Sequence, residues 1–424
     1  MMPLPQAFTE RIKADLGDEA QAFFSSYDQP AAKGIRVNTL KLSVEQFKTL
    51  SPFALTPVPW EECGFYVDDE KPGKTVYHAA GAYYVQEPSA MCAAPLLAVC
   101  PGDTVLDLCS APGGKGTQLA QAMKGEGVIV LNEINFSRAK ILSSNVERLG
   151  VENAIVTCAP PAKLAQNCAG VFDKILVDAP CSGEGMFKKE PNAIAEWSPG
   201  NVEMCAQRQA EILDCAAQLL APGGLMVYST CTFASAEDEE QTAAFLNRHT
   251  NFELIEEHKL YPHRVRGEGH YAALLKKNGG EGGRTKYIKP RADRQAAALF
   301  ADFSSRCLHR DFKNLHSVEN RLYSLPDGAF DCGVQTLRAG ICLGEVIKGR
   351  FEPSHSLAMC LKEGEAHFIS LDEATALKYL SGNTFECDAD INGWAVASYM
   401  GLPLGWVKVS GGVAKNHLPK GVRI

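Results

Sequence analysis

The sequence predicts an α/β fold: a doubly wound, Rossmann-like parallel sheet, preceded by a small α/β domain and followed by a small β-barrel domain. First, short apolar runs alternate with amphipathic helical segments from Val105 to Lys277, as in a parallel sheet covered on both faces. Second, a glycine-rich stretch from Lys277 to Arg284 ends that region. Third, short apolar runs bounded by glycine and proline follow from about Cys332, which is typical of small barrels.

The secondary structure of the sheet region follows from its apolar periodicity. We expect parallel strands at 104–108, 128–132, 154–157, 174–178 and 225–229, and a last, antiparallel strand at 271–275. Helices are expected at 115–123, 137–149, 202–220 and 235–248. Ser235 and Asp238 have the spacing of a capping box at the start of the last helix. Residues 222–224, Pro-Gly-Gly, are expected to end the helix before them and turn the chain into the next strand.

The length of 424 residues suggests two or three domains. We expect a small α/β domain at 1–100 and the sheet domain at 101–280. A linker and basic connecting segment follows at 281–331, and the C-terminal domain occupies 332–424.

Charge is distributed unevenly along the chain. The net charge is −8 overall, but residues 281–424 carry about +2 and the first 280 residues about −10. Between Arg284 and Arg321 the sequence has nine lysines and arginines and four acidic residues. After Leu402 it has four basic residues and no acidic residue. A local basic patch is enough to bind phosphates, so a nucleic-acid partner stays open. An ordinary solvated surface has the same composition.

Targeting signals and cysteine spacing indicate the compartment. No run approaches the roughly 20 apolar residues of a membrane helix, and residues 1–15 lack the order of a secretory signal. We therefore expect a cytoplasmic protein with no membrane partner. The 15 cysteines are odd in number and lack zinc-site spacing, which predicts reduced thiols and no metal.

A glycine-rich turn and one acidic residue suggest a ligand site. The turn is Asp107–Gly116, DLCSAPGGKG, where a strand is expected to pass into a helix and ligands of open parallel sheets bind. Glu133 ends the next strand, about 20 residues further on, where a carboxylate can accept both ribose hydroxyls of an adenosine. A purely structural turn, a dinucleotide ligand and a simple helix-terminal role for Glu133 remain alternatives.

Two thiols and a carboxylate follow the ends of two later strands. Asp178 and Cys181 lie in VDAPCSGEG, and Cys231 lies in YSTCTF, so a doubly wound sheet brings all three to one crevice. Such a site suits methylation at C5 of cytosine, because a thiolate that adds to C6 makes C5 nucleophilic. A carboxyl group near N3 would stabilise the adduct, and a base must later remove the C5 proton. Inert core cysteines are the alternative, and the residues alone do not rank the two thiols.

These motifs resemble the Sun-type (NSUN) family of RNA cytosine-C5 methyltransferases. DLCSAPGGK, DAPCSGEG and STCT occur in the family's order over residues 107–232, and RVNTL and YVQEPSAM precede them. The tail segments GRFEPSH, PLGWVK and KNHLPKG are similar to the bacterial ribosomal-RNA F-type (RsmF-like) subgroup. The resemblance therefore covers most of the chain.

The resemblance implies a class I methyltransferase domain, a C-terminal PUA-like RNA-binding domain and S-adenosylmethionine as cofactor. It makes Cys231 the nucleophile and Cys181 the group that assists breakdown of the covalent adduct. Asp178 would contact the cytosine and lie beside the methionine part of the cofactor, with Glu133 on the ribose and Arg138 nearby. The residues implied to wrap the cofactor are Cys109, Ser110, Ala111, Pro112, Gly113, Gly114 and Lys115.

Several expectations about RNA remain open. The partner is expected to be ribosomal RNA or the small ribosomal subunit, bound by a monomer that does not bind DNA. Transfer RNA, or a non-catalytic role in ribosome assembly, is the alternative.

Many family members carry an adenine-contacting acid after the third strand, whereas residues 157–161, TCAPP, offer none. The lysines at 188 and 189 suit phosphate contacts or plain solvation, and Trp406, Phe351 and His417 suit RNA stacking or, for Trp406, core packing.

Overall fold

The computed structural model describes residues 3–68, 71–388 and 391–424. A four-stranded antiparallel sheet and five short helices precede the central sheet. The sheet has the order β2-β3-β1-β4, and its strands are β1 (Gly34–Val37), β2 (Thr56–Val58), β3 (Glu61–Tyr66) and β4 (Tyr83–Val85). The helices are α1 (Gln6–Leu16), α2 (Ala20–Ser25), α3 (Val44–Leu50), α4 (Val76–Ala79) and α5 (Ala93–Leu96).

The central sheet contains the five predicted parallel strands and the predicted antiparallel strand. Its strands up to residue 277 are β5 (Thr104–Asp107), β6 (Val128–Asn132), β7 (Ala154–Cys158), β8 (Phe172–Asp178), β9 (Leu220–Thr230), β10 (Phe252–Leu260) and β11 (His270–Lys277). They run in the order β10-β11-β9-β8-β5-β6-β7, and β10 and β11 are antiparallel to their neighbours. The doubly wound fold class is thus confirmed.

Helices cover both faces of this sheet. They are α6 (Gly114–Ala122), α7 (Phe136–Arg148), α8 (Pro161–Asn167), α9 (Pro191–Glu196), α10 (Pro199–Leu219) and α11 (Glu239–Arg248). Side chains alternate along each strand, so Val105 packs with α6 and α7 on one face and Leu106 with α8, α10 and α11 on the other. The glycine-rich turn at 107–116, which the family resemblance makes the cofactor turn, lies at the carboxyl end of β5. The motifs that contain Cys181 and Cys231 lie at the carboxyl ends of β8 and β9.

The predicted capping box at Ser235 is wrong. Residues Ser235–Glu237 form a 3₁₀ turn, and α11 begins only at Glu239. The hydroxyl of Ser235 donates to Glu240 Oε1 at 2.8 Å, while Asp238 accepts from Thr230 Oγ1 and pairs with Lys259. Ser235 therefore bonds to a side chain within α11, and Asp238 to side chains of β9 and β10, so neither caps helix amides.

The remaining chain adds two further sheets and closes one edge of the central sheet. Its helices are α12 (Arg294–Cys307), α13 (His355–Cys360) and α14 (Glu373–Leu380). Its strands are β12 (Leu315–Val318), β13 (Arg321–Ser324), β14 (Gln335–Ala339), β15 (Ile341–Ile347), β16 (Arg350–Pro353), β17 (Phe368–Ser370), β18 (Phe385–Glu386), β19 (Gly393–Tyr399), β20 (Leu402–Ser410) and β21 (Val413–Asn416). The sheet orders are β12-β13-β15-β16 and β17-β19-β20-β21-β18, while β14 pairs antiparallel with β7.

The segment expected to be a linker, residues 281–331, contains regular structure. Helix α12 is capped by Asp293, whose side chain accepts from the amide of Ala296 at 2.9 Å, and it buries Phe300 and Phe303 against Phe351. The β12–β13 hairpin follows. No helix among the described residues is both long and apolar enough to cross a membrane.

Candidate active site

The turn between β5 and α6 is shaped by two glycines. Gly113, just before α6, has a φ of +112°, in the left-handed region that favours glycine. A Cβ on Gly116 would come within 2.5 Å of Ser110 Oγ and 2.7 Å of Asp107 Oδ2, so any larger residue would displace the turn. Asp107 is fully enclosed, and burial raises the pKa of its carboxyl to about 7. Close packing of Gly116 against Ser110 and Asp107 therefore fixes the conformation of the turn.

Glu133 is a buried carboxylate at the end of β6. Its Oε1 accepts from the amide of Asn135 at 2.9 Å, and its Oε2 lies 3.2 Å from Arg138 Nη1. Arg138 in turn donates from Nη2 to the carbonyl of Ala111 at 2.8 Å. The predicted ribose residue and the cofactor turn are thus joined through one guanidinium.

Asp178, at the end of β8, forms an ion pair with Lys115 of the cofactor turn. Lys115 Nζ lies 2.8 Å from Asp178 Oδ2, and Ser229 Oγ donates to Asp178 Oδ1 at 2.9 Å. Burial alone would raise the pKa of Asp178, but the ammonium of Lys115 and the neighbouring polar groups hold it below its usual value. Asp178 is therefore a carboxylate at neutral pH.

The two predicted thiols lie side by side. Asp178 and Ser229 are register partners on β8 and β9, and Cys181 and Cys231 follow them by three and two residues. Their Sγ atoms are 3.3 Å apart. The hydrogen bond to Cys231, with burial, raises the pKa of Cys181 well above its usual value. The two sulfurs are therefore within hydrogen-bond distance of each other, and either thiol can be the donor.

One cleft of about 860 Å³ lies along the carboxyl ends of the parallel strands. It brings together most of the predicted catalytic and cofactor residues: Cys109, Ala111, Glu133, Arg138, Asp178, Cys181 and Cys231 line it. The other predicted residues do not line the cleft. Ser110 and Gly113 are buried, Pro112 is exposed outside the cleft, Gly114 packs near Tyr84, and Lys115 reaches the cleft only through Asp178.

The cleft suits S-adenosylmethionine in size and chemistry. Its volume lies within the roughly 300–1,000 Å³ usual for small-molecule sites. Glu133 and Asp178 contribute carboxylates to its lining, together with the two thiols. Ile134, Pro160, Pro161 and Ile212 contribute apolar side chains. No carboxylate follows β7 at 157–161, as the sequence indicates.

Three buried residues that sequence analysis did not select support this site. Arg36, on β1, donates to the Gly114 carbonyl and to Thr117 Oγ1 at the start of α6. Glu184 and Glu237 accept hydrogen bonds from the backbone amides of Phe233 and Ser182, which lie two residues after Cys231 and one residue after Cys181. Arg36 and Glu184 lie inside the quoted motifs RVNTL and VDAPCSGEG, and Glu237 lies four residues after the end of YSTCTF, but a charged residue is normally solvated, so none was assigned a role. A buried charge becomes informative once its partners are known.

The expected RNA-stacking residues are mostly unavailable. Trp406 and Phe351 are buried in the core beside α12, so Trp406 is a packing residue. His417 is exposed and its ring lies 4.5 Å from that of Trp394. The side chain of Lys188 is 8% exposed and lies 3.4 Å from Glu268 Oε2, so it is neither solvated nor free for a phosphate.

Four family models match consecutive parts of this chain. The model described as 16S rRNA methyltransferase RsmB/F matches residues 94–276, and the N-terminal domain of 16S rRNA methyltransferase RsmF matches 4–88. The RsmF rRNA methyltransferase first C-terminal domain matches 302–361, and the methyltransferase RsmF PUA domain matches 366–424.

Individual relatives agree with these matches. Ribosomal RNA small subunit methyltransferase F of Vibrio cholerae is 31% identical, over 98% of this chain and 97% of that protein. A crystal structure of a methyltransferase homolog protein from Pyrococcus horikoshii is 30% identical, with a TM-score of 0.59 over 64% of this chain and 95% of that one. NSun6 from Pyrococcus horikoshii with SFG, an S-adenosylmethionine analogue, is 22% identical with a TM-score of 0.59, over 65% and 99% of the two chains, and shows the shared fold.

Proposed function

Because this chain belongs to the RsmB/F family of S-adenosylmethionine-dependent rRNA methyltransferases, we propose that it methylates C5 of a cytosine in small-subunit ribosomal RNA, through a transient bond from Cys231 to C6. The observation that carries this proposal is the thiol pair. Two sulfurs 3.3 Å apart lie beside Asp178 in the cleft that also contains Glu133. Two cysteines that only filled the core would be expected to lie away from such a cleft.

Some of these residues are suited to hold the cofactor, and others to activate the target cytosine. S-adenosylmethionine, when bound, supplies a methyl group on a positively charged sulfur. Glu133 is suited to the ribose hydroxyls, and the turn from Cys109 to Lys115 to the rest of the cofactor. Asp178, fixed by Lys115 and Ser229, is placed to hydrogen-bond the cytosine ring.

The thiols serve two stages. In the first, the Cys231 thiolate forms a bond to C6, and the electron pair of the C5=C6 bond becomes available for C5 to take the methyl group. In the second, the C5–H bond breaks and its proton passes to a base. The electron pair of that bond forms the C5=C6 double bond as the C6–Sγ bond breaks, and the C6–Sγ bonding pair returns to Cys231 as a thiolate. We assign Cys181, whose Sγ lies 3.3 Å from that of Cys231, to this second stage, as the resemblance to the family implies.

Substitution of each thiol tests the assignment. Cys231→Ala is expected to abolish methyl transfer to RNA while calorimetric binding of S-adenosylmethionine persists. Cys181→Ala is expected to form a protein–RNA adduct that survives SDS, because attack continues and release does not. Cys205→Ala, which removes a buried thiol of α10 outside the cleft, is the matched control and should behave as wild type. Full activity of Cys231→Ala would refute the mechanism.

The RNA target is tested in cells. Bisulfite sequencing of ribosomal and transfer RNA from cells lacking this protein should show loss of 5-methylcytosine in small-subunit ribosomal RNA alone. Loss confined to transfer RNA would replace the substrate but keep the chemistry. No loss, together with no binding of millimolar S-adenosylmethionine, would favour a non-catalytic role in ribosome assembly.

A further inference from the structure

We infer that Glu237 and Glu184 are positioning residues whose carboxylates bind the two thiol loops to each other and so set the spacing on which adduct release depends. The Cys181 loop is residues 179–187, and the Cys231 loop is residues 231–238. Each loop contributes one buried glutamate that accepts a backbone hydrogen bond from the other loop. The inference rests on the proposed function, since it concerns release of the adduct formed there.

Glu237 extends from the Cys231 loop to the residue after Cys181. Its Oε2 accepts from the amide of Ser182 at 2.9 Å, and its Oε1 accepts from the Ser182 hydroxyl. Gln209 Nε2, on α10, donates to Glu237 Oε2 at 2.9 Å and to the carbonyl of Pro180 at 3.0 Å. The peptide on each side of Cys181 is therefore held by one connected set of hydrogen bonds.

Glu184 extends in the opposite direction. Its Oε2 accepts from the amide of Phe233, two residues after Cys231, at 3.0 Å. Its Oε1 accepts from Trp197 Nε1 at 2.9 Å and from Arg11 Nη2 at 2.6 Å. Arg11 lies on α1, so the N-terminal helix holds the glutamate that binds the Cys231 loop.

Direct bonds between the loops complete the arrangement. The hydroxyls of Ser182 and Thr232, each next to a cysteine, are 2.8 Å apart. The amide of Gly185 donates to the carbonyl of Cys231 at 2.9 Å, and a Cβ at Gly185 would meet that oxygen at 2.9 Å. The contacts therefore concentrate on the residues beside the two sulfurs.

Both carboxylates are completely buried, at 0% exposure. Burial of a charge is costly unless its hydrogen bonds are satisfied, and satisfied networks fix one geometry. Here the fixed geometry is the relative position of two loops whose reactive sulfurs lie 3.3 Å apart. A scaffold for folding alone would not need to bind each loop within two residues of its cysteine.

Loss of Glu237 should affect Cys181 more than Cys231. Cys231 directly follows β9, which is paired with β8 and β11, and its loop keeps the bonds from Gly185 and to Glu184. The Cys181 loop would lose both acceptors of Ser182. Attack at C6 should therefore persist while release slows.

The test compares Glu237→Ala and Glu237→Gln with wild type in single and multiple turnover. For Glu237→Ala we expect methyl transfer in the first turnover within about threefold of wild type, and later turnovers at least about tenfold slower, since misplacement by 1 Å costs on the order of 10²-fold. The SDS-resistant adduct should rise several-fold. Glu237→Gln should return adduct levels to within about twofold of wild type, because its amide oxygen can accept from the Ser182 amide and its NH₂ can face the hydroxyl.

Controls separate positioning from stability. Asp238→Ala removes the adjacent buried carboxylate, which binds Thr230 and Lys259, and should lower the melting temperature without raising the adduct. If Glu237→Ala does not fold, Ser182→Ala carries the test, because it removes the hydroxyl that joins Glu237 to Thr232.

The outcomes are distinct. Folded Glu237→Ala that slows all turnovers equally, with no rise in adduct while Cys181→Ala accumulates it, overturns the inference alone. Absence of adduct in Cys181→Ala as well overturns the proposed mechanism, and the inference with it. Accumulation in Glu237→Ala with rescue by Glu237→Gln supports both.

Discussion

Replacing Arg36 by lysine tests whether the N-terminal sheet supports the cofactor turn. Arg36 is completely buried, and burial lowers the pKa of its guanidinium to about 10, so it remains charged. Its nitrogens donate to Gln121 Oε1 at 2.8 Å, Thr117 Oγ1 at 2.8 Å, Gln86 Oε1 and the Gly114 carbonyl. All four acceptors are uncharged, and two lie in the first turn of α6.

The expected magnitude follows from the number of lost partners. A lysine ammonium cannot reproduce the planar fork, so we expect at least two acceptors to lose their donor. Each buried polar group left unsatisfied costs about 1–3 kcal/mol, which gives a destabilisation of about 2–6 kcal/mol for Arg36→Lys. If about 1.4–2.8 kcal/mol of this is felt at the cofactor turn, affinity for S-adenosylmethionine falls about ten- to hundredfold.

Calorimetry and urea unfolding measure the two effects separately. Arg148 is the matched control, because it too lies near Tyr84 but donates to the carbonyls of His78 and Tyr83 at 2.8 and 3.2 Å. Arg148→Lys should lower stability and leave cofactor affinity within about twofold of wild type, because Arg148 reaches the turn only indirectly, through Asn145, whose side chain donates to the Pro112 carbonyl. Arg36→Lys with wild-type cofactor affinity would refute the proposed support of the turn.

Two further predictions concern the walls of the site. Gly116→Ala places a methyl group 2.5 Å from Ser110 Oγ, and overpacking of about 1–3 kcal/mol should weaken S-adenosylmethionine binding while leaving RNA affinity unchanged. Gly200→Ala, with nothing within 4 Å, is the control, and equal cofactor affinity in the two variants would contradict the prediction. His270 is buried beside Asp178, and burial with the charge of Lys115 lowers the pKa of its imidazole from 6.5 to about 3. Below pH 6.5 the unfolded chain therefore binds a proton on His270 that the native state does not bind. The free energy of unfolding falls as the pH falls, and His270 contributes about 2 kcal/mol of that loss between pH 8 and pH 5. His270→Gln should reduce that pH-dependent loss by about the same amount in urea unfolding, and an unchanged loss would show that His270 is protonated in the native state.

The fold was predictable where the signal is local. Apolar runs located β5 to β9 and β11 to within a few residues, except that β9 begins earlier, at Leu220. The strands β10 and β14 were not predicted. Eight of the nine residues of β10 are at least partly exposed, so it lacks the alternation of a half-buried strand. β14 comes from far along the sequence to cover the open edge of β7, a pairing that no local pattern encodes.

The position of the site was predictable because the carboxyl ends of neighbouring parallel strands lie at one edge of the sheet. Motifs at the ends of β8 and β9 were expected to converge, and Cys181 and Cys231 lie 3.3 Å apart. The exposure of an aromatic ring was not predictable in the same way. Trp406 on β20 has the composition of a stacking residue, but its partners Phe303 and Trp394 come from α12 and β19. Only the tertiary structure decides between these roles.

The residues that sequence analysis missed point to a larger catalytic unit than the central sheet. Arg36 reaches the cofactor turn from β1, and Arg11 reaches Glu184 of the Cys181 loop from α1. Both guanidinium groups come from the first 100 residues, and neither lines the cleft. A domain that only bound RNA would have no need to place one fully buried and one partly buried cation there, since each leaves unpaired groups behind if it is removed. The N-terminal unit is therefore better understood as part of the structure that holds the cofactor turn and the thiols in place.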